Sequence, residues 1–163
     1  MVKGPVTTSP FSAWIRVLRP GNLVIIAASI ASLRWSYSNH IPESGEYFLE
    51  ILFILPLVLL AAGGNIINDY FDIKEDRVNK PERALVGRVL KRRIAVVSHW
   101  GLSAAGLFIA GMLSVKINTS IPFVIALIIA IVLFLYSTKF KGSVLFGNVI
   151  VACAVASVVP FAY

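Results

Sequence analysis

Asn68, Asp69, Asp72 and Asp76 close a long apolar run, in the segment 63–83 that reads GGNIINDYFDIKEDRVNKPER. The three carboxylates are spaced i, i+3 and i+7, which on a helix stacks them along one face. Bare carboxylates at a membrane boundary repel one another and resist desolvation, so a chain that stacks them there has a cation to bind. Oxygen-only ligands suit a hard divalent ion, above all Mg²⁺ shared with a substrate's phosphates. Arg77, Lys80 and Arg83 follow at once. Metal and cations together can hold a diphosphate and take up the charge that develops as it leaves. If the leaving group sits on an allylic carbon, the resulting cation is one that an apolar helix bundle can shield from water. The same residues would also serve as a solvated, salt-bridged helix end. A calcium loop fits poorly, since the alternating acids and mid-loop glycine of an EF-hand are missing.

The elements that must position these groups are read from the rest of the chain. Of the 163 residues, 58% are hydrophobic and only 14% charged, with a mean hydropathy of +0.83. An ordinary soluble domain is about a quarter charged. The chain therefore reads as an all-α, polytopic integral membrane protein: one transmembrane helix bundle over 1–163, with no room for a sizeable soluble domain. About five spans are expected, at 23–37, 47–67, 94–115, 119–136 and 144–163. The first is short for the ~20 residues a crossing needs, and it has room to begin before Pro20. Small residues predict close helix contacts: Ala27, Ala28, Ala31 and Ser32 in span one, Ala61 to Gly64 in span two, and Gly101, Ala104, Ala105, Gly106 and Gly111 in span three. Pro56 lies mid-span, where it would kink the helix or simply be tolerated. The lone Cys153 excludes a disulfide framework within this chain.

Charge gives the orientation. Apart from Arg34 and Lys116, every Lys and Arg falls in the N-terminal segment, the second-to-third connection or the fourth-to-fifth connection. Positive-inside bias puts those segments, with the N-terminus and the Asp cluster, in the cytoplasm. Two loops distant in sequence thus open on one face, the second carrying Lys139 and Lys141. The formal charge of +7 is explained by these loops, and nucleic acid is not an expected partner. Arg34 and Lys116 are expected to snorkel to the outer headgroups. Trp14, Trp35 and Trp100 read as interface anchors, and His99 as an interfacial histidine with a backbone partner rather than a general base. The chain stops at Tyr163 inside an apolar run, which is read here as a truncated sequence.

At this point a family resemblance emerges. Residues 68–76, NDYFDIKED, match the NDxxDxxxD motif of the UbiA-type intramembrane prenyltransferases. Residues 79–85, NKPERAL, resemble the N-x-P-x-R-P-L segment that follows it, with Ala84 where proline is usual. Residues 19–22, RPGN, look like the RPxN signature of helix one; 136–141, YSTKFK, with Gly147 and Asn148, resemble the Y-x-x-K-x-K and GN elements of the second cytoplasmic loop. The wording of the Asp segment is nearest the branch that alkylates geranylgeranylglyceryl phosphate; quinone-precursor, haem and chlorophyll branches share most of it.

The resemblance implies a transferase that moves a prenyl group from its diphosphate to a lipid-soluble or membrane-associated acceptor, with Mg²⁺-assisted ionisation, in lipid or quinone biosynthesis. Asp69, Asp72 and Asp76 would be the catalytic carboxylates and Mg²⁺ ligands, supported by Asn68. Asn22, Arg77, Arg83, Lys139 and Lys141 would meet the diphosphate. A bacterial or archaeal inner membrane would be the setting. Family members resemble one another in having about nine helices and a second Asp-rich motif, whereas no acidic residue follows Glu82 here. The chain is therefore read as an N-terminal portion, inactive alone. Two other classes stay open: a non-catalytic membrane protein whose acidic loop binds a cation, and a transporter fragment. The second would want ionisable groups at mid-membrane.

Overall fold

In a computed structural model the chain is described over residues 9–38, 46–79, 81, 84–140, 156 and 158–162. It is a helical bundle. The order is α1 (Pro10–Leu18), α2 (Pro20–Ser38), α3 (Tyr47–Phe71), α4 (Ile73–Asn79), α5 (Arg92–Lys116) and α6 (Ile121–Leu135), then a π-helical turn (Tyr136–Phe140) and a short α7 (Val158–Ala162). Among the described residues, three helices are long and apolar enough to cross a membrane: Tyr47–Phe71, Arg92–Lys116 and Ile121–Lys139. At about 1.5 Å per residue, 25 residues in α3 and in α5 exceed the hydrocarbon core of roughly 30 Å.

The first expected span takes a different form. Pro20 has no N–H to continue a preceding helix, so α1 ends at Leu18 and α2 restarts at Pro20. The two halves are bent by 41° and make a fourth candidate span if they count as one. α1 is opened by Ser9, whose Oγ accepts the Ser12 N–H at 3.2 Å, and by Pro10 in the first turn. The fifth expected span falls almost wholly outside the described residues. Only its end is described, where Phe161 packs edge-on to Phe53 at 6.3 Å.

α3 runs through Pro56 as one helix and is the hub of the bundle, touching α1, α2, α5 and α6. Its tightest neighbour is α5. There the space beside Gly106 is closed by the Pro56 carbonyl and the Leu60 side chain, and that beside Gly63 by Ser103 and His99. Of the small residues expected at contacts, these fit the expectation. Ala28, Ala31, Ser32, Gly101, Ala104 and Ala105 instead lie exposed among the described residues, on faces of α2 and α5 turned away from α3.

Two apolar cores result. One fills mid-bundle, around Ile30, Phe53, Leu57, Leu60, Leu113 and Ala126. The other sits at the polar end, where Leu85, Val86 and Leu90 pack with Val17, Ile66 and Ile73. This second core exists because residues 85–90 make a tight turn, with Gly87 at φ +81 and its N–H bonded to the Leu90 carbonyl at 2.7 Å. A side chain rarely adopts that φ, which explains glycine there.

Arg34 does not snorkel as expected. It pairs with Glu50 of α3, Nε donating at 3.1 and 3.2 Å and Nη2 at 2.8 Å, and its guanidinium stacks 3.7 Å from the Phe53 ring. Both side chains are largely buried, 17% and 18% exposed. The planar fork fits the carboxylate bidentately, which a water-exposed headgroup would not better. Lys116 stays exposed at the end of α5, 5.7 Å from the Phe48 ring.

Candidate functional site

The Asp stripe is not carried by one unbroken helix. α3 stops at Phe71 and Asp72 is its C-cap, at φ −78 and ψ −1; α4 restarts at Ile73. The hydrogen-bond ladder nonetheless passes through the break. The Asp72 N–H donates to the Asn68 carbonyl at 3.0 Å and the Asp76 N–H to the Asp72 carbonyl at 2.8 Å. Asn68, Asp69 and Asp72 therefore follow one another around the end of α3, with Asp76 a turn further on in α4.

Each side chain has a definite setting. Asn68 Nδ2 donates to Asp72 Oδ2 at 3.0 Å, and Asp72 is buried, only 6% exposed. The other Asn68 amide atom, Oδ1, is buried without a hydrogen-bond partner. Asp69 Oδ1 accepts from Arg19 Nη2 at 2.5 Å. Asp76 is half-buried, and Arg77 is exposed with Nη2 3.5 Å from the Gly87 carbonyl. Asn22 is exposed in the first turn of α2, where its backbone N–H donates to the Arg19 carbonyl at 2.9 Å. Lys139 lies exposed on the π-helical turn. Arg83 and Lys141 lie outside the described residues.

Two residues outside the expected ligand set, Asn65 and Arg19, hold these parts together. Asn65 Nδ2 donates to the Leu18 carbonyl at 2.9 Å, satisfying an otherwise open group at the end of α1. Arg19, one residue on, takes Asp69. The segments 19–22 and 68–76 are thus joined by the Arg19–Asp69 pair across 50 residues of chain, and the Asn65–Leu18 bond beside it ties the end of α1 to α3 across 47. The left-handed backbone of Arg19, at φ 54 and ψ 62, turns the chain between α1 and α2. Sequence spacing carried no sign of either link beyond the residue types.

The π-helical turn has its own support. Widening the ladder there leaves carbonyls of α6 open to other donors. Ser137 Oγ donates to the Leu133 carbonyl at 2.9 Å, and Thr138 Oγ1 to the Phe134 carbonyl at 3.0 Å. His99 is buried, with Nδ1 3.0 Å from the Gly63 carbonyl, and its ring stacks on Phe134 at 6.0 Å. It has the expected backbone partner and is packed between α3 and α5.

Among the described residues, no three carboxylate, imidazole or thiol groups converge as a ready-made metal site. The donor set is all oxygen, and one of its oxygens, Asn68 Oδ1, is buried and unpartnered. That fits Mg²⁺, which takes one or two carboxylates and completes its shell with water and substrate phosphates. The arrangement suits an anionic substrate that brings the remaining ligands with it.

Long apolar helices of this kind, with the polar cluster gathered at one end of the bundle, are those of an integral membrane protein. The chain belongs to the UbiA prenyltransferase family, whose sequence model matches residues 23–163. It is 37% identical over 153 residues to a digeranylgeranylglyceryl phosphate synthase of Thermococcus gammatolerans, covering 91% of this chain and 50% of that protein. A protein of the same name from Methanoregula boonei is 33% identical over 148 residues, covering 89% and 48%. The chain spans about half the length of these curated relatives. A solved structure described under the same synthase name superposes with a TM-score of 0.80 at 29% identity, over 94% of this chain and 52% of that one.

Proposed function

We propose that the polar end binds a prenyl diphosphate, and that the full-length protein transfers the prenyl group to a membrane-associated acceptor. The observation that carries this reading is the Arg19–Asp69 pair, which joins two polar motifs far apart in sequence at one end of an apolar bundle. Charge bias supports a cytoplasmic position for that end. The relatives' printed name supports geranylgeranylglyceryl phosphate as the acceptor class and an archaeal type of membrane lipid as the product. Because the chain spans about half of these relatives, the reaction is proposed for a polypeptide that carries the rest as well. The 163 residues would be its N-terminal portion.

In this reading Asp69, Asp72 and Asp76 would provide the carboxylates for Mg²⁺, with Asn68 Oδ1 as a further oxygen donor. Bound there, the metal would supply charge neutralisation at the departing diphosphate. Asn68 Nδ2 donates to Asp72 Oδ2 and so helps fix the direction of that carboxylate. Asn22, Arg77, Arg83, Lys139 and Lys141 would supply donors and positive charge to the phosphates. The diphosphate leaves with the bonding electron pair, and an acceptor hydroxyl captures the carbon and gives up its proton. The apolar faces of the bundle keep water from the same carbon.

The test is transfer from labelled geranylgeranyl diphosphate by the full-length protein in nanodiscs, with and without Mg²⁺. Asp72→Ala should lower the rate by about 100-fold or more, as removal of a charge-stabilising group does, while expression is kept. The 163-residue chain alone should not turn over. Wild-type rates in Asp72→Ala would refute the site, and appreciable turnover by the short chain would refute the division of labour.

A further inference from the structure

Arg19 is the charged residue nearest the carboxylates for which the reading above has no task. Its placement is costly in two ways that a merely structural residue avoids. It sits in the left-handed region, φ 54, although Gly21 two positions on would adopt that conformation freely. It also spends a guanidinium on one carboxylate oxygen at 2.5 Å. The pair is asymmetric: the Arg19 side chain is 42% exposed and that of Asp69 only 14%. Asp69 therefore depends on a positive partner, because a buried carboxylate stripped of its counter-charge is strongly unfavourable. Arg19 does not depend on Asp69 in the same way, since water already reaches it.

We propose that Arg19 is an exchangeable counter-ion: it holds Asp69 in the ligand-free site and passes to a phosphate oxygen when metal and diphosphate arrive together. The inference rests on the diphosphate reading of the polar end. The exchange keeps every charge paired. The incoming cation replaces the guanidinium at Asp69, and the incoming phosphate replaces Asp69 at the guanidinium, in a bidentate geometry that suits it better than a single oxygen. Metal alone must break the Arg19–Asp69 pair with no phosphate to take its place, so metal alone binds less tightly. Arg19 is thus a positioning residue that makes metal binding conditional on the substrate's phosphates. Its pivot place between α1 and α2 lets the side chain swing without moving α3, to which Asn65 pins the end of α1 independently.

The test measures Mn²⁺ binding to the full-length protein by electron paramagnetic resonance, with and without inorganic pyrophosphate. In the wild type, pyrophosphate should strengthen Mn²⁺ binding. In Arg19→Met, Mn²⁺ alone should bind about fivefold more tightly, the scale of an ion pair with one exposed partner. The Mn²⁺–pyrophosphate pair should bind about fivefold more weakly. Arg19→Lys keeps the charge without the fork and should fall between on both measures, which also guards against a folding defect in Arg19→Met. Movement of both affinities in the same direction, or of neither, overturns the exchange. A wild type whose pyrophosphate-assisted binding survives Asp72→Asn overturns the diphosphate reading itself and takes the exchange with it. Dependence on Asp72 with an unaltered Arg19→Met sinks the exchange alone.

Discussion

Replacing Gly106 with alanine adds one methyl group at the tightest approach of α3 and α5. Its Cβ would lie 3.0 Å from the Pro56 carbonyl oxygen and 3.2 Å from Leu60 Cγ. Ordinary carbon contacts are about 3.5–4.0 Å, so one partner must yield by a few tenths of an ångström. The oxygen belongs to the α3 backbone, and Leu60 is only 2% exposed within the main core, so neither can turn aside. The two helices must part. Overpacking of this kind costs roughly 1–3 kcal/mol, against a gain of about 0.5–1 kcal/mol for alanine over glycine in a helix. A net loss of about 1–2 kcal/mol is expected. Gly101 on the same helix has nothing within 4 Å of its would-be Cβ, so Gly101→Ala should keep the gain alone. The two twin substitutions should therefore shift stability in opposite directions, read by denaturant unfolding in detergent micelles. Gly106→Ala as stable as wild type, or Gly101→Ala destabilised, would refute the close α3–α5 packing.

Glu50→Ala removes the carboxylate that accepts from Arg34 Nε and Nη2 and should cost about 1–3 kcal/mol, the range for losing a charged hydrogen-bond partner; a double-mutant cycle with Arg34→Met should show coupling between the two sites, and additive effects would contradict the pair. His99→Phe loses the 3.0 Å bond to the Gly63 carbonyl and should lower stability by about 1 kcal/mol while prenyl transfer persists. Loss of transfer with stability intact would return His99 to the list of bases.

Much of this was legible in residue types and local spacing. Apolar run length marks α3, α5 and α6, because a membrane helix must satisfy its own backbone over the whole crossing. The segment 68–76 was legible for the same local reason, its carboxylates being close in sequence. What spacing could not carry is the pairing between elements. Arg19 with Asp69, Asn65 with the Leu18 carbonyl and Arg34 with Glu50 are separated by 50, 47 and 16 residues. Each depends on how α1 and α2 lean on α3. The length of Arg34 and its place near a span end fit snorkelling as well as pairing, and only the packing of α2 on α3 brings Glu50 to it. The break at Asp72 was hidden too, since the residues on either side keep a helical period.

The most direct measurement is the affinity of the full-length protein for geranylgeranyl diphosphate, titrated with and without Mg²⁺, in the wild type and in Asp69→Asn and Asp72→Asn. The site described here predicts binding that chelation of Mg²⁺ weakens by tenfold or more, roughly the worth of one charged contact, and that either substitution renders insensitive to Mg²⁺. Binding of equal strength in all three proteins, with or without the metal, would contradict it.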